Sequence, residues 1–167
     1  VYSGLVLDVL NISKDDSANI IQTTDHGGDN QLWRLKSFKA ISPILKTKEQ
    51  SQFSNNVDPN LLKGDEYFEI ISKNSDKCLD ILGAGGNGAN LMQHTCHGGD
   101  NQLFKFLGTS EFSTVIMAKH SGYVLDVAAA SKDPKANVYS WLLHGGKNQQ
   151  WTLIPKSDGY YTIRSVY

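Results

Sequence analysis

Of 167 residues, only two are cysteine, two are methionine and four are proline, and the formal net charge is −1. Each shortage excludes something. Near-neutral charge with a pI near 6.6 offers no basic surface to hold nucleic acid or anionic lipid, so partners chosen by bulk charge are not expected. No run approaches the roughly 20 apolar residues of a membrane-spanning helix, so no membrane insertion is expected. The opening VYSGLVLDVLNI lacks the basic start and cleavage site of a signal peptide, so either a leader has been removed or the chain is part of a longer protein. No Ser/His/Asp set, glycine-rich phosphate loop or paired metal-ligand motif is present, so neither catalysis nor a cofactor nor a metal is expected.

What the chain does have is repetition. HGGDNQLW at 26–33 returns as HGGDNQLF at 97–104 and HGGKNQQW at 144–151. Upstream of each phrase stands a Leu-Asp pair, in SGLVLDV, DKCLDIL and SGYVLDV, and Asp8, Asp80 and Asp126 precede Gln31, Gln102 and Gln149 by 23, 22 and 23 positions. Between them lie SANIIQTTD, GANLMQHTC and KANVYSWLL. Three motifs in one order at nearly constant spacing define a unit of about 40 residues present in three copies.

Within each unit, short apolar or alternating runs are bounded by Gly, Asn, Asp and Ser: YFEIIS, KCLDIL, NLMQH and QLFKFLG in the second, STVIMA, YVLDVAA, NVYSWLL and QQWTLIP in the third. These read as four strands per unit. The fold class is therefore all-β, with about twelve short strands closing into a pseudo-threefold barrel, because closure removes exposed sheet edges.

At this length one domain over 1–167 is expected, with a first repeat at 1–38, a second at 65–109 and a third at 110–157. The first repeat lacks a counterpart of DEYFEIIS. Residues 158–167 supply a match, Tyr160, Ile163 and Ser165 aligning with Tyr67, Ile70 and Ser72. Either this terminal strand closes the ring or it begins another domain. Residues 39–64 form a polar insertion of about 26 residues, holding two of the four prolines, and read as a surface loop that is either a tolerated insertion or a contact surface.

Both cysteines, Cys78 and Cys96, fall in the second repeat, 18 positions apart on two of its strands. A local disulfide is expected there, worth about 3 kcal/mol in the chain-entropy model and implying an oxidising, extracellular compartment. The rival is a zinc site built from Cys78, Cys96, His94 and His97, which lacks the paired short spacing of structural zinc sites.

The combination of (C/V)LD(V/I), a Gly/Asn turn, an aromatic and then NQxW or NQxF, three times over, resembles the ricin B-type (R-type, QxW) lectin repeat. The resemblance implies a β-trefoil and a secreted, calcium-independent lectin with up to three shallow sites, frequently for galactose or N-acetylgalactosamine. Multivalency through those sites, haemagglutination or cell targeting follow from it, with glycans on cell surfaces or polysaccharides as partners. An intra-repeat disulfide also fits repeats of that family. The same module serves as the sugar-targeting domain of a larger toxin or glycosidase, and a partner domain or homo-oligomer is compatible with it. A protein-binding trefoil of the inhibitor or cytokine kind is the alternative of another class.

The chemistry suits a sugar. A carboxylate accepts charge-assisted bonds from vicinal hydroxyls, an Asn amide both gives and accepts, and an aromatic face covers the apolar patch of a pyranose. Carried over repeat by repeat, the third set is Asp126, Trp141, Asn148 and Gln149, with Trp141 at the stacking position. The second is Asp80, His94, Asn101 and Gln102. The first keeps Asp8, Asn30 and Gln31 but has Thr23 in place of the ring, so the expected ranking is third, second, first.

Plainer roles stand beside these. Trp33, Phe104 and Trp151 read as core plugs, since a threefold barrel needs three equivalent bulky side chains. Each Gln is either a ligand or a brace for its Asp, and His26, His97 and His144 are either structural or sugar-contacting. The Gly-Gly pairs are expected to supply positive φ at a turn.

Overall fold

A computed structural model describes residues 4–38, 66–110 and 113–167, so the expected insertion at 39–64 lies outside the described residues. The alternating runs form twelve strands: β1 (Leu5–Val9), β2 (Ala18–Thr24), β3 (Trp33–Phe38), β4 (Tyr67–Ser72), β5 (Cys78–Ile81), β6 (Leu91–His94), β7 (Phe104–Ser110), β8 (Ser113–Ala118), β9 (Val124–Val127), β10 (Ala136–Trp141), β11 (Trp151–Pro155) and β12 (Tyr160–Ser165). Among the described residues the remaining regular structure is short 3-10 turns, and no helix is long and apolar enough to cross a membrane.

Six strands close a ring. β12 pairs β3, β3 pairs β4, β4 pairs β7, β7 pairs β8, β8 pairs β11, and β11 returns to β12, all antiparallel. The other six form three hairpins, β1–β2, β5–β6 and β9–β10, which cap one end. Each hairpin is tied to the ring by one bridge, Val6 to Arg164, Ile71 to Cys78 and Met117 to Val124. This is the β-trefoil, and the strand from 160–165 is a member of its ring.

The apolar residues that drive closure line the interior. Trp33, Phe104 and Trp151 begin β3, β7 and β11 and are completely buried with Phe68, Phe106, Ile70, Ile116 and Ile163. The two indoles are not orphaned: Trp33 and Trp151 donate Nε1–H to the carbonyls of Leu7 and Leu125 at 3.3 and 3.2 Å. Where the three hairpins meet, Asn19, Asn90 and Asn137 form a cyclic ring of amide bonds at 2.6 to 3.0 Å, one from each repeat. Each amide gives one bond and takes one, so a polar junction is satisfied by symmetry.

Neighbouring repeats are latched through buried polar side chains at one register position. Gln22 donates to the carbonyls of Ser131 and Asp133, Gln93 to those of Ser13 and Asp15, and Ser140 to those of Gly86 and Ala89. The turn after β1, β5 or β9 is thus held by the hairpin of the adjacent repeat. Cys78 and Cys96 form the expected disulfide, with Cα atoms 5.1 Å apart, which removes both from the zinc set considered from the sequence.

Candidate functional site

Asp8, Asp80 and Asp126 sit on β1, β5 and β9, strands whose residues are all buried, and are themselves only 4, 1 and 2 % exposed. A carboxylate in that setting needs donors. The HGGxNQ phrase supplies them by folding back over the strand. Its first glycine takes a positive φ, +73, +68 and +76° at Gly27, Gly98 and Gly145, which reverses the chain. The second glycine does not: Gly28, Gly99 and Gly146 have φ of −73, −68 and −65°. It is required for space, because a Cβ on Gly28 would lie 2.6 Å from both the His26 ring and Asn30 Oδ1, and Gly99 and Gly146 are equally confined. The expectation of positive φ is corrected for that half of each pair.

A 3-10 turn then delivers Asn and Gln to the same aspartate. In the first repeat, Asn30 Nδ2, Gln31 Nε2 and His26 Nε2 all donate to Asp8 Oδ2, at 2.8, 2.9 and 3.2 Å. In the third, Asn148 donates to Asp126 Oδ1 at 2.9 Å while Gln149 and His144 donate to Oδ2 at 2.9 and 3.2 Å. In the second, Asn101 reaches Asp80 Oδ1 at 2.9 Å, Gln102 reaches Oδ2 at 2.8 Å, and His97 Nε2 lies 3.3 Å from Oδ2. One arrangement is built three times.

The glutamines are braces. Gln31, Gln102 and Gln149 are fully buried. Each carbonyl oxygen accepts from the backbone N–H of His26, His97 or His144 at 2.8 to 2.9 Å. Each Nε2 gives its second bond to the carbonyl of Thr24, Thr95 or Leu142 at 2.8 to 3.1 Å. Both amide protons of each glutamine are thus engaged within the chain, and the side chain pins turn to strand. The histidines are fixed as well: the N–H of Gly28, Gly99 and Gly146 donates to the Nδ1 of His26, His97 and His144, which leaves the ring proton on Nε2, facing the carboxylate. Their side chains remain about half exposed, at 46 to 48 %.

Burial raises the Asp8 and Asp126 carboxyls above the ordinary 3.8, and the Gln, His and Asn donors only partly offset it.

The repeats diverge at the rim. Thr23, His94 and Trp141 occupy one register position, opposite Val6, Cys78 and Val124, two residues along the strand from the aspartate's level. All three are partly exposed. At Trp141 the indole meets Tyr139, ring centroids 5.2 Å apart, and Tyr139 lies directly opposite Asp126. Ile21 and Met92 take the Tyr139 position in the other repeats. A Cβ added at Gly88 would meet the Trp141 ring at 3.4 Å, and the turn that carries this glycine is fastened by Asn87 Oδ1 accepting from the Leu142 N–H at 2.8 Å. Leu142 and Leu143 continue the third rim as exposed apolar residues.

Tyr139 and Asn87 were not read from the sequence as site residues. Tyr139 had a signal, standing two residues before Trp141 and so on the same strand face. Asn87 comes from the neighbouring repeat and had none. In the second rim, Asp16 arrives in the same way from the first repeat. The Lys77 ammonium at 2.8 Å, with bonds from Thr95, holds its carboxyl down to about 2.

The comparisons fit this geometry. A family model described as ricin-type beta-trefoil lectin domain-like matches residues 48–141 and 112–167. Comparison with curated protein sequences gives no match. Among solved structures, the designed threefold-symmetric protein ThreeFoil is 37 % identical, with a TM-score of 0.74 over 92 % of this chain and 93 % of that one. An exo-β-1,3-galactanase from Clostridium thermocellum is 30 % identical with a TM-score of 0.72, over 92 % of this chain but 28 % of the enzyme. The Rhizoctonia solani agglutinin shares the fold at 20 % identity and a TM-score of 0.70, over 92 % of this chain and 89 % of that one. Three braced aspartates on a β-trefoil, together with the family match, settle the assignment: the chain belongs to the ricin-type β-trefoil lectin-like family of carbohydrate-binding domains.

Proposed function

We propose that this carbohydrate-binding domain takes galactose or N-acetylgalactosamine in glycans, first at its third repeat, then at the second, with the first repeat weakest. One observation carries the reading: the third repeat alone joins the braced Asp126 and Asn148 to an aromatic pair, Trp141 and Tyr139, at its rim. The carboxylate and the amide offer hydrogen bonds to hydroxyls, and the indole face covers the apolar patch of the ring. His94 gives the second repeat a smaller planar surface, and Thr23 gives the first none. Gln31, Gln102 and Gln149 act by holding the aspartates and not by touching sugar.

Shallow polar sites compete with water for each hydroxyl, so single sites bind weakly and two or three together provide avidity. Haemagglutination or cell targeting would use that avidity, and the disulfide favours secretion into an oxidising compartment. The second reading, a sugar-targeting module within a larger glycosidase or toxin, is favoured by the galactanase, of which the match spans only about a quarter. In either setting the domain itself binds and does not catalyse.

The test is calorimetric titration of galactose, N-acetylgalactosamine and lactose, with glucose and mannose as controls. Saturable binding of the galacto-configured sugars at one to three sites is expected. Binding of none of them, or equal binding of all five, would refute the specificity.

A further inference from the structure

We propose that Asp80, His94 and His97 of the second repeat form a binding site for a divalent transition-metal ion of the zinc or nickel kind. A ring nitrogen of each histidine and a carboxylate oxygen of Asp80 lie within 4.8 Å of one another. Two imidazoles and one carboxylate are a donor set suited to such ions, with the remaining positions left to water. The cysteines nearby take no part, being joined to each other.

The local bonding prepares two of the three donors. His94 Nδ1 lies 3.2 Å from the Thr95 carbonyl and 4.0 Å from Asp16 Oδ1, both acceptors, so its proton belongs on Nδ1 and the lone pair on Nε2. A ligating histidine whose other nitrogen donates to a carbonyl or carboxylate is the usual outer-shell pattern. Asp80 is held rigid by Asn101 and Gln102. His97 Nε2 and Asp80 Oδ2, 3.3 Å apart, already have the separation that bonds of about 2.0–2.2 Å to one ion require. His94 must close the rest; its ring is partly exposed, with a centroid 5.9 Å from that of His97.

His97 sets the cost. Its Nδ1 now accepts from the Gly99 N–H at 3.1 Å, and a ring metallated at Nε2 carries its proton on Nδ1, so that bond is given up. The site is therefore of moderate affinity. The other repeats supply internal controls: Asp8 with His26, and Asp126 with His144, are the same pair, but Thr23 and Trp141 replace the third donor.

The experiment is titration of zinc chloride, and separately nickel sulfate, into the untagged, chelator-stripped chain, followed by calorimetry and by thermal unfolding. It uses no sugar, so its result is independent of the lectin reading. One equivalent per chain is expected, with a rise in Tm. Affinity should fall at least tenfold in His94→Ala and in His97→Ala and stay within twofold of wild type in His144→Ala. Thr23→His should gain a second equivalent, which decides the matter even if His94→Ala fails to fold. No saturable binding, binding that survives His94→Ala, an equal loss in His144→Ala, or no second equivalent in Thr23→His would overturn the proposal.

Discussion

The first and third repeats share their inner cluster and differ at the rim. Both bury an aspartate under the same histidine, asparagine and glutamine, with bonds at 2.8 to 3.2 Å that differ only in the carboxylate oxygen the asparagine reaches, Oδ2 of Asp8 but Oδ1 of Asp126. Yet one rim presents Thr23 and Ile21, the other Trp141 and Tyr139. The inner cluster is therefore common to every repeat, and on the function proposed above it is the rim that makes one repeat a better ligand surface than another. The second repeat has the same cluster, but an imidazole at the rim with a disulfide beside it, Cys78 lying opposite His94.

The comparison can be broken most severely at the scaffold. Trp33→Ala and Trp151→Ala, each emptying a fully buried position, should cost about 3–5 kcal/mol apiece in denaturant unfolding, and about equally, because the two plugs are equivalent. A cost confined to one repeat would show that the pseudo-symmetry is not energetic. Next come the braces. Gln31→Ala and Gln149→Ala each strip a buried carboxylate of a donor and a backbone N–H of its acceptor, so each should lose roughly 2–4 kcal/mol, whether or not its repeat has an aromatic rim.

A smaller effect concerns pH. The Asp126 carboxyl is raised by burial, so its contribution to stability is fully present below the unfolded-state value and is lost as pH rises through the raised folded-state value. The stability of wild type relative to Asp126→Asn should therefore fall as pH rises above the ordinary carboxyl value of 3.8, and Asp8→Asn should behave alike. Asp16, held down to about 2, runs the other way: its contribution is present above the unfolded-state value and lost as pH falls toward 2. A flat difference for Asp126→Asn would contradict the buried-carboxylate account. Smallest is a strain test. Ile12, an exposed β-branched residue with φ of 56°, occupies the left-handed region. Ile12→Gly should stabilise by less than about 1 kcal/mol, since the relief of strain slightly exceeds glycine's entropy cost.

Much of this was legible in the sequence because repetition amplifies weak local signals. Strand runs of four to seven residues are ambiguous singly, but the same order three times points to twelve strands, and the three bulky residues after NQ mark the core. Asp8, Asp80 and Asp126 are brought to their Asn and Gln partners because the spacing of 22 or 23 positions is one hairpin plus one turn. What was not legible depends on neighbours far apart in the chain. Gln22 gripping Ser131, Asn87 fastening Leu142, and Asp16 reaching Thr95 join different repeats, and no local period reports them. Which of the two roles open to each glutamine applies is also hidden in the sequence, because its partners include backbone groups that composition does not place. The second glycine of each pair was misread for a similar reason: its need is steric, set by a histidine ring that folds back on it.

The central claim is that the braced cluster is common and the rim decides binding, and titration of galactose into wild type and Trp141→Ala tests it most directly. The account predicts that Trp141→Ala weakens the strongest site at least tenfold, while Tm changes by no more than a degree or two. Undiminished affinity in Trp141→Ala would contradict it.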